Sequence, residues 1–182
     1  LFAIKRAVTF SVLPNLPYSK RIAELASSKG YEVILHLPLE SNDLAAPAEI
    51  GTIKTGMSEK DMLVLLEKDI ASVPGLSGVS NHQGSKATED KRSMSIVLSG
   101  LKKRSLYFFD SLVTDKSVCR LAAAQAQIPY AKRDIFLDNF QSKVLVTHSR
   151  HNLFEIITMA SILEKELRVK KDKEIASGLL WR

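Results

Sequence analysis

Cysteine is almost missing: Cys119 is the only one among 182 residues. That excludes an intramolecular disulfide and any metal site built from several thiolates. Cys119 lies in Val-Cys-Arg-Leu-Ala-Ala, which reads as helix, so a buried inert thiol is expected rather than a nucleophile. Aromatic residues make up only 7% of the chain and fall mainly in strand-like segments, so no stacking platform for bases is visible. No stretch approaches the roughly 18 unbroken apolar residues of a membrane-crossing helix. There is no Gly-rich phosphate loop and no Gly-x-Ser-x-Gly elbow, which counts against nucleotide-dependent and serine-hydrolase chemistry. The chain starts Leu-Phe-Ala-Ile, without an initiator Met or a signal-peptide layout, and reads as a fragment or processed form.

What is present is the composition of an ordinary globular domain, 45% apolar and 25% charged, read as one domain over residues 1–182. The net charge of +6 admits nucleic acid, an anionic membrane surface or an acidic glycan as partner. The charge is dispersed, however. Lys102, Lys103 and Arg104 form one short run and Lys170, Lys171 and Lys173 another, each with acidic residues nearby, as in solvated helix ends. A nucleic-acid-binding module rests on net charge alone and predicts binding that weakens steeply with salt. No nucleic-acid partner is therefore expected.

Strand-like and helix-like segments alternate. Residues 7–13 read as a strand ended by Pro14, 19–28 as a helix stopped by Gly30, and 31–35 as a second strand. Residues 38–57 read as a long loop, of the kind that often carries function. Ser58-Glu-Lys-Asp61 resembles a capping box for a helix with apolar positions 62, 65, 66, 70 and 73, ended by Pro74-Gly75. Further strands are expected at 78–80, at 105–109, within 128–137 (at 135–137 with an extended lead-in) and at 144–147, and further helices at 88–103, 117–127 and 152–168. Such alternation argues for a parallel sheet covered on both sides, as an open sheet or a barrel. Only residues 140–142 separate Asn139 from Lys143, too few for a parallel crossover, so a connecting helix is missing or 144–147 is not a neighbouring parallel strand.

In parallel α/β folds functional groups gather where strands end. The polar residues that follow these strands are Asn15, His36, Asn81, His82, Asp110, Ser111, Asp138, Asn139 and His148. A neutral imidazole at His36 or His82 ligates zinc or a similar divalent ion, or else His36 is a core histidine bonded to backbone and His82 an exposed histidine of a loop turn. Glu40 reads as a ligand or as an acceptor behind one. Gly84 permits close backbone approach and Ser85 can hydrogen-bond a ligand. Asp110 orients a base, binds metal, contacts substrate or simply caps a turn. Arg133 pairs with a catalytic carboxylate or forms a structural ion pair. Asp138 and Asn139 contact substrate or cap a helix.

Together, Gly30-Tyr-Glu-Val-Ile-Leu-His36-Leu-Pro-Leu-Glu40, Gly78-Val-Ser-Asn-His82-Gln-Gly-Ser85, Phe109-Asp110-Ser111 and Arg133-Asp-Ile-Phe-Leu-Asp138-Asn139 resemble, in order and spacing, the divergent polysaccharide deacetylases, the YibQ-like relatives of NodB-type carbohydrate esterases. The likeness covers about residues 7–139, and Val144-Leu-Val-Thr-His148 matches in part. It implies a distorted (β/α) barrel, incomplete at its N-terminus, because 7–13 resembles the family's second strand. It implies a divalent metal, zinc by expectation, held by His36 and His82, with Asn81, Ser85, Glu40, Asp138 and Asn139 facing substrate. His148 is implied as catalytic acid, with Asp110 and Arg133 as further catalytic residues. Glu40 stands where NodB-type enzymes carry a second His. The implied function is removal of N-acetyl groups from a polysaccharide or peptidoglycan-like glycan, in the periplasm or outside the cell. The alternative is a non-catalytic glycan-binding or scaffolding domain of the same fold.

Overall fold

The computed structural model describes residues 8–45 and 48–134. The elements run β1 (Thr9–Val12), α1 (Ser19–Ser28), β2 (Glu32–Leu39), α2 (Glu59–Ser72), β3 (Leu76–Gln83), a 3-10 turn (Ala87–Glu89), α3 (Lys91–Lys103), β4 (Tyr107–Asp110), α4 (Cys119–Ala126) and β5 (Tyr130–Lys132). The expected segments 135–137, 144–147 and 152–168 lie outside the described residues.

Local chemistry explains several boundaries. Ser58 caps α2 by accepting the Asp61 N–H at 3.1 Å, and Asp90 caps α3 by accepting that of Ser93 at 2.7 Å. The expected helix 88–103 thus divides into a 3-10 turn and α3. The second strand runs four residues past its expected end, through Pro38 to Leu39. Proline lacks an N–H, but the Pro38 carbonyl accepts the Ile53 N–H at 3.0 Å, on the edge away from β3. The start of the expected loop 38–57 therefore belongs to the sheet, and Ile53 forms a parallel bridge with Leu39.

All five strands are parallel and lie in chain order, β1-β2-β3-β4-β5. Right-handed crossovers that always step the same way place successive helices on one face. The core agrees. Phe10, Val12, Val33, Leu35, Leu37, Leu39, Val79 and Phe108 share one strand face and one apolar cluster with Ala23, Met62, Leu66, Leu98, Leu101 and Ala123 from the four helices. The sheet is thus helix-covered on one face by these elements rather than on two. A doubly wound sheet reverses its strand order, whereas sequential order is the winding of a (β/α) barrel.

The opposite face is read from the register. Ser11 pairs with Ile34, Ile34 with Gly78, His36 with Ser80, Pro38 with His82, and Ser80 with Phe109. Alternation puts Ser11, Ile34, His36, Ser80, His82 and Phe109 together on this second face. One irregularity sets the phase. Val33 pairs with Leu76 but Ile34 with Gly78, so β3 carries an extra residue, Ser77, and its alternation flips there.

Candidate functional site

His36 and His82 meet on the sheet face opposite the four helices. The diagonal between neighbouring strands brings their rings edge to face, with centroids 4.9 Å apart. Both residues are buried. Each sits inside its strand rather than past it, because β2 and β3 both run further than the sequence indicated. Burial, reinforced by the neighbouring His82, holds the His36 imidazole down at about 3. It is therefore neutral at physiological pH, the form that ligates metal. Its Nδ1 lies 2.8 Å from Ser80 Oγ, and Ser80 Oγ lies 2.7 Å from Ser11 Oγ. Two buried imidazoles on one face suit zinc or a similar ion as part of its donor set. Among the described residues no group of three His, Cys, Asp or Glu comes together to complete one.

The other rim residues go elsewhere. Asn81 pairs with Leu37 and so lies on the helix side of the sheet. Its Oδ1 accepts the Ser111 N–H at 2.7 Å and its carbonyl accepts the Ser111 hydroxyl at 2.8 Å. Asp110, also on the helix side, accepts the Leu112 N–H at 2.8 Å, the Ser117 hydroxyl at 2.6 Å and the Tyr130 hydroxyl at 3.2 Å. Arg133 donates to the carbonyls of Ser111 at 2.6 Å and Leu112 at 2.9 Å. Asn81, Asp110 and Arg133 together shape the turn between β4 and α4. Cys119 starts α4 fully buried, and burial beside Asp110 pushes its thiol up to about 12, which suits the inert role expected of it.

Glu40 closes β2 and pins the loop that follows. It accepts the Thr55 N–H and hydroxyl, each at 2.7 Å, and the Lys86 ammonium at 2.8 Å. Partial burial alone would raise its pKa, but the Lys86 and Thr55 donors outweigh it and hold the carboxyl at about 2. Ser85 accepts the Asn42 N–H at 2.9 Å and lies 3.2 Å from Ser41 Oγ. Gly84 (φ +90°) is needed for packing: a Cβ there would stand 2.8 Å from that of Leu39. Asp138, Asn139 and His148 lie outside the described residues.

Sequence reading missed Ser11 and Ser80, two hydroxyls whose place beside His36 depends on register. It also missed Asp69, which is fully buried and bonded through Oδ1 to Asn15 Nδ2 at 2.6 Å. The signal was available: Asp69 follows Met62 and Leu66 by seven and three residues, on the buried face of α2.

The model of the family described as divergent polysaccharide deacetylase matches residues 1–161. The uncharacterized protein YibQ of Escherichia coli is 31% identical over 143 residues, which are 79% of this chain and 44% of that protein. An uncharacterized protein of Haemophilus influenzae is 30% identical over 139 residues, 76% of this chain and 49% of that one. The chain spans about half the length of the curated relatives it matches. The crystal structure of an uncharacterized protein from Agrobacterium tumefaciens shares the fold, with a TM-score of 0.63 at 20% identity, over 74% of this chain and 66% of that chain.

Proposed function

Because the chain belongs to the divergent polysaccharide deacetylase family, we propose that it is, or derives from, a metal-dependent hydrolase that removes N-acetyl groups from a cell-envelope glycan. One observation carries this reading: His36 and His82, from two different strands, meet as a buried pair on the sheet face opposite the four helices. A bound zinc or similar divalent ion supplies Lewis acidity, polarising the acetyl carbonyl and acidifying water. The chain's own part is to hold that ion through His36 and His82 and to keep His36 neutral by burial. Asn81, Asp110 and Arg133 act one step back, by fixing the turn after β4. Protonation of the leaving amine is assigned to His148, and glycan contacts to Ser85, Glu40, Asp138 and Asn139, by likeness to the family. By likeness to the family, the proton-accepting carboxylate is assigned to an Asp-Asp pair, and no such pair occurs in this sequence. The 182-residue chain is therefore expected to hydrolyse slowly or not at all by itself. A periplasmic or extracellular site of action is part of the same proposal.

The test is metal content by mass spectrometry on the parent and on a His36→Ala, His82→Ala double variant, with acetate release from a chitin oligomer measured in parallel. Stoichiometric zinc or another divalent ion in the parent, lost in the variant, supports the reading. A parent that takes up no divalent ion even when the ion is supplied in excess overturns it.

A second reading is a glycan-binding or scaffolding domain without catalysis. It is favoured by Glu40, which occupies the place of a second His and is engaged by Lys86 and Thr55. This reading predicts chitin-oligomer binding that releases no acetate and is indifferent to chelators.

A further inference from the structure

We propose that Ser80, backed by Ser11, is a positioning residue that fixes His36 in the tautomer with its hydrogen on Nδ1 and leaves the Nε2 lone pair for a divalent cation. The inference deepens the metal reading above, yet its own claim, the tautomer, is measurable without metal.

A neutral imidazole carries one N–H, and the partner of one nitrogen decides the state of the other. His36 is buried, which disfavours the charged imidazolium, so one of its nitrogens is bare. The neighbour of Nδ1 is Ser80 Oγ at 2.8 Å, and the β2–β3 register places that serine directly opposite His36. Ser80 has a single hydroxyl hydrogen and two lone pairs. Its oxygen has three neighbours: Ser11 Oγ at 2.7 Å, His36 Nδ1 at 2.8 Å and the Leu35 carbonyl at 3.4 Å. The carbonyl can only accept. All three contacts are satisfied together in one arrangement only. Ser80 donates to Leu35 and accepts from Ser11 and from His36 Nδ1–H. Any other use of the Ser80 hydrogen leaves the carbonyl contact without one. Both serines are buried, so bulk water is a poor substitute. A hydrogen-bonded neighbour that orients a ligating histidine in this way typically accounts for roughly 10–100-fold in metal affinity.

The experiment is nitrogen-15 NMR of the imidazoles in the metal-free protein, followed by zinc affinity from chelator competition, on the parent and on Ser80→Ala, Ser80→Thr and Ser11→Ala. In the parent, His36 Nδ1 is expected to carry the hydrogen and Nε2 to be bare. Ser80→Ala is expected to shift the tautomer toward Nε2–H and to weaken zinc roughly 10–100-fold. Ser11→Ala is expected to act in the same direction more weakly, and Ser80→Thr, which keeps the hydroxyl, to restore both readouts. A parent with hydrogen on Nε2, or a folded Ser80→Ala variant with an unchanged tautomer, overturns the inference. The two readings separate cleanly. The expected tautomer in a protein that takes no zinc leaves the positioning role standing and removes the metal reading. Zinc bound by a protein whose His36 carries its hydrogen on Nε2 does the reverse.

Discussion

Two carboxyls show how opposite surroundings give opposite responses to pH. Asp69 is sealed in, with no hydrogen-bond partner for Oδ2 among the described residues and a Cβ at Gly51 excluded by contact at 2.7 Å with Oδ1. Burial pushes its pKa from 3.8 up to about 7, against the pull of Asn15 and Lys68. Between those two values the folded state binds more protons than the unfolded chain, so Asp69 makes stability fall as pH rises from about 4 to about 7. Asp69→Asn is expected to remove that slope and to be the more stable protein at pH 8, as read from urea midpoints across the range. A variant whose midpoints track the parent at every pH would sink the argument. Glu40 is the reverse case, lowered from 4.5 to about 2. Its contribution is present above pH 4.5 and is lost as pH falls toward 2. Glu40→Gln is expected to cost about 1 kcal/mol at pH 7, since the carboxylate is partly solvated, with the difference vanishing in acid. His36 was legible in the sequence because it ends an apolar run, and His82 because it follows a second strand-like segment. Ser80 was not, because an isolated serine gives no sign of what its strand neighbour is.

At the level of strands and helices, most elements were legible from apolar spacing and from Ser58, Pro74 and Gly75 as boundary markers. What spacing alone missed was phase. The extra residue Ser77 flips β3, so that Ser80 and His82 join His36 while Asn81 turns to the helices. A reading that treats every residue after a strand as one converging set cannot see this. It therefore grouped Asn81 and Asp110 with the histidines, although the two faces hold them apart. The same face carries a second dependence on register at its other end. Tyr107 lies across Gly78, where a Cβ would sit 2.6 Å from its ring, and reaches Glu32 with its hydroxyl at 3.1 Å. Gly78→Ala is expected to destabilise by roughly 1–3 kcal/mol, through displacement of that ring. Combined with Tyr107→Leu, which empties the space, it should cost distinctly less than the sum of the two single changes. Strict additivity in denaturant melts would show that the ring is not the obstacle.

For the whole molecule, a site shared between two strands couples ligand to fold. If His36 and His82 hold zinc, a concentration of free zinc at about 100 times Kd stabilises the folded state by about 2.7 kcal/mol. Thermal melts with added zinc should rise for the parent and stay level for the His36→Ala, His82→Ala variant; equal rises in both would place the ion elsewhere. The strand order has a further consequence, for how the chain finds this state. Among the described residues each strand pairs with the one made just before it, so each of these pairings spans a single crossover. The β2–α2–β3 unit has the longest run of paired residues, from Val33 through Leu39. It is the expected nucleus: trimming Leu35 or Val79 should slow refolding, whereas changes in the three-residue β5 should mainly speed unfolding. A nascent chain of this topology can settle strand by strand as it emerges, with the paired histidines assembled once β3 is laid down.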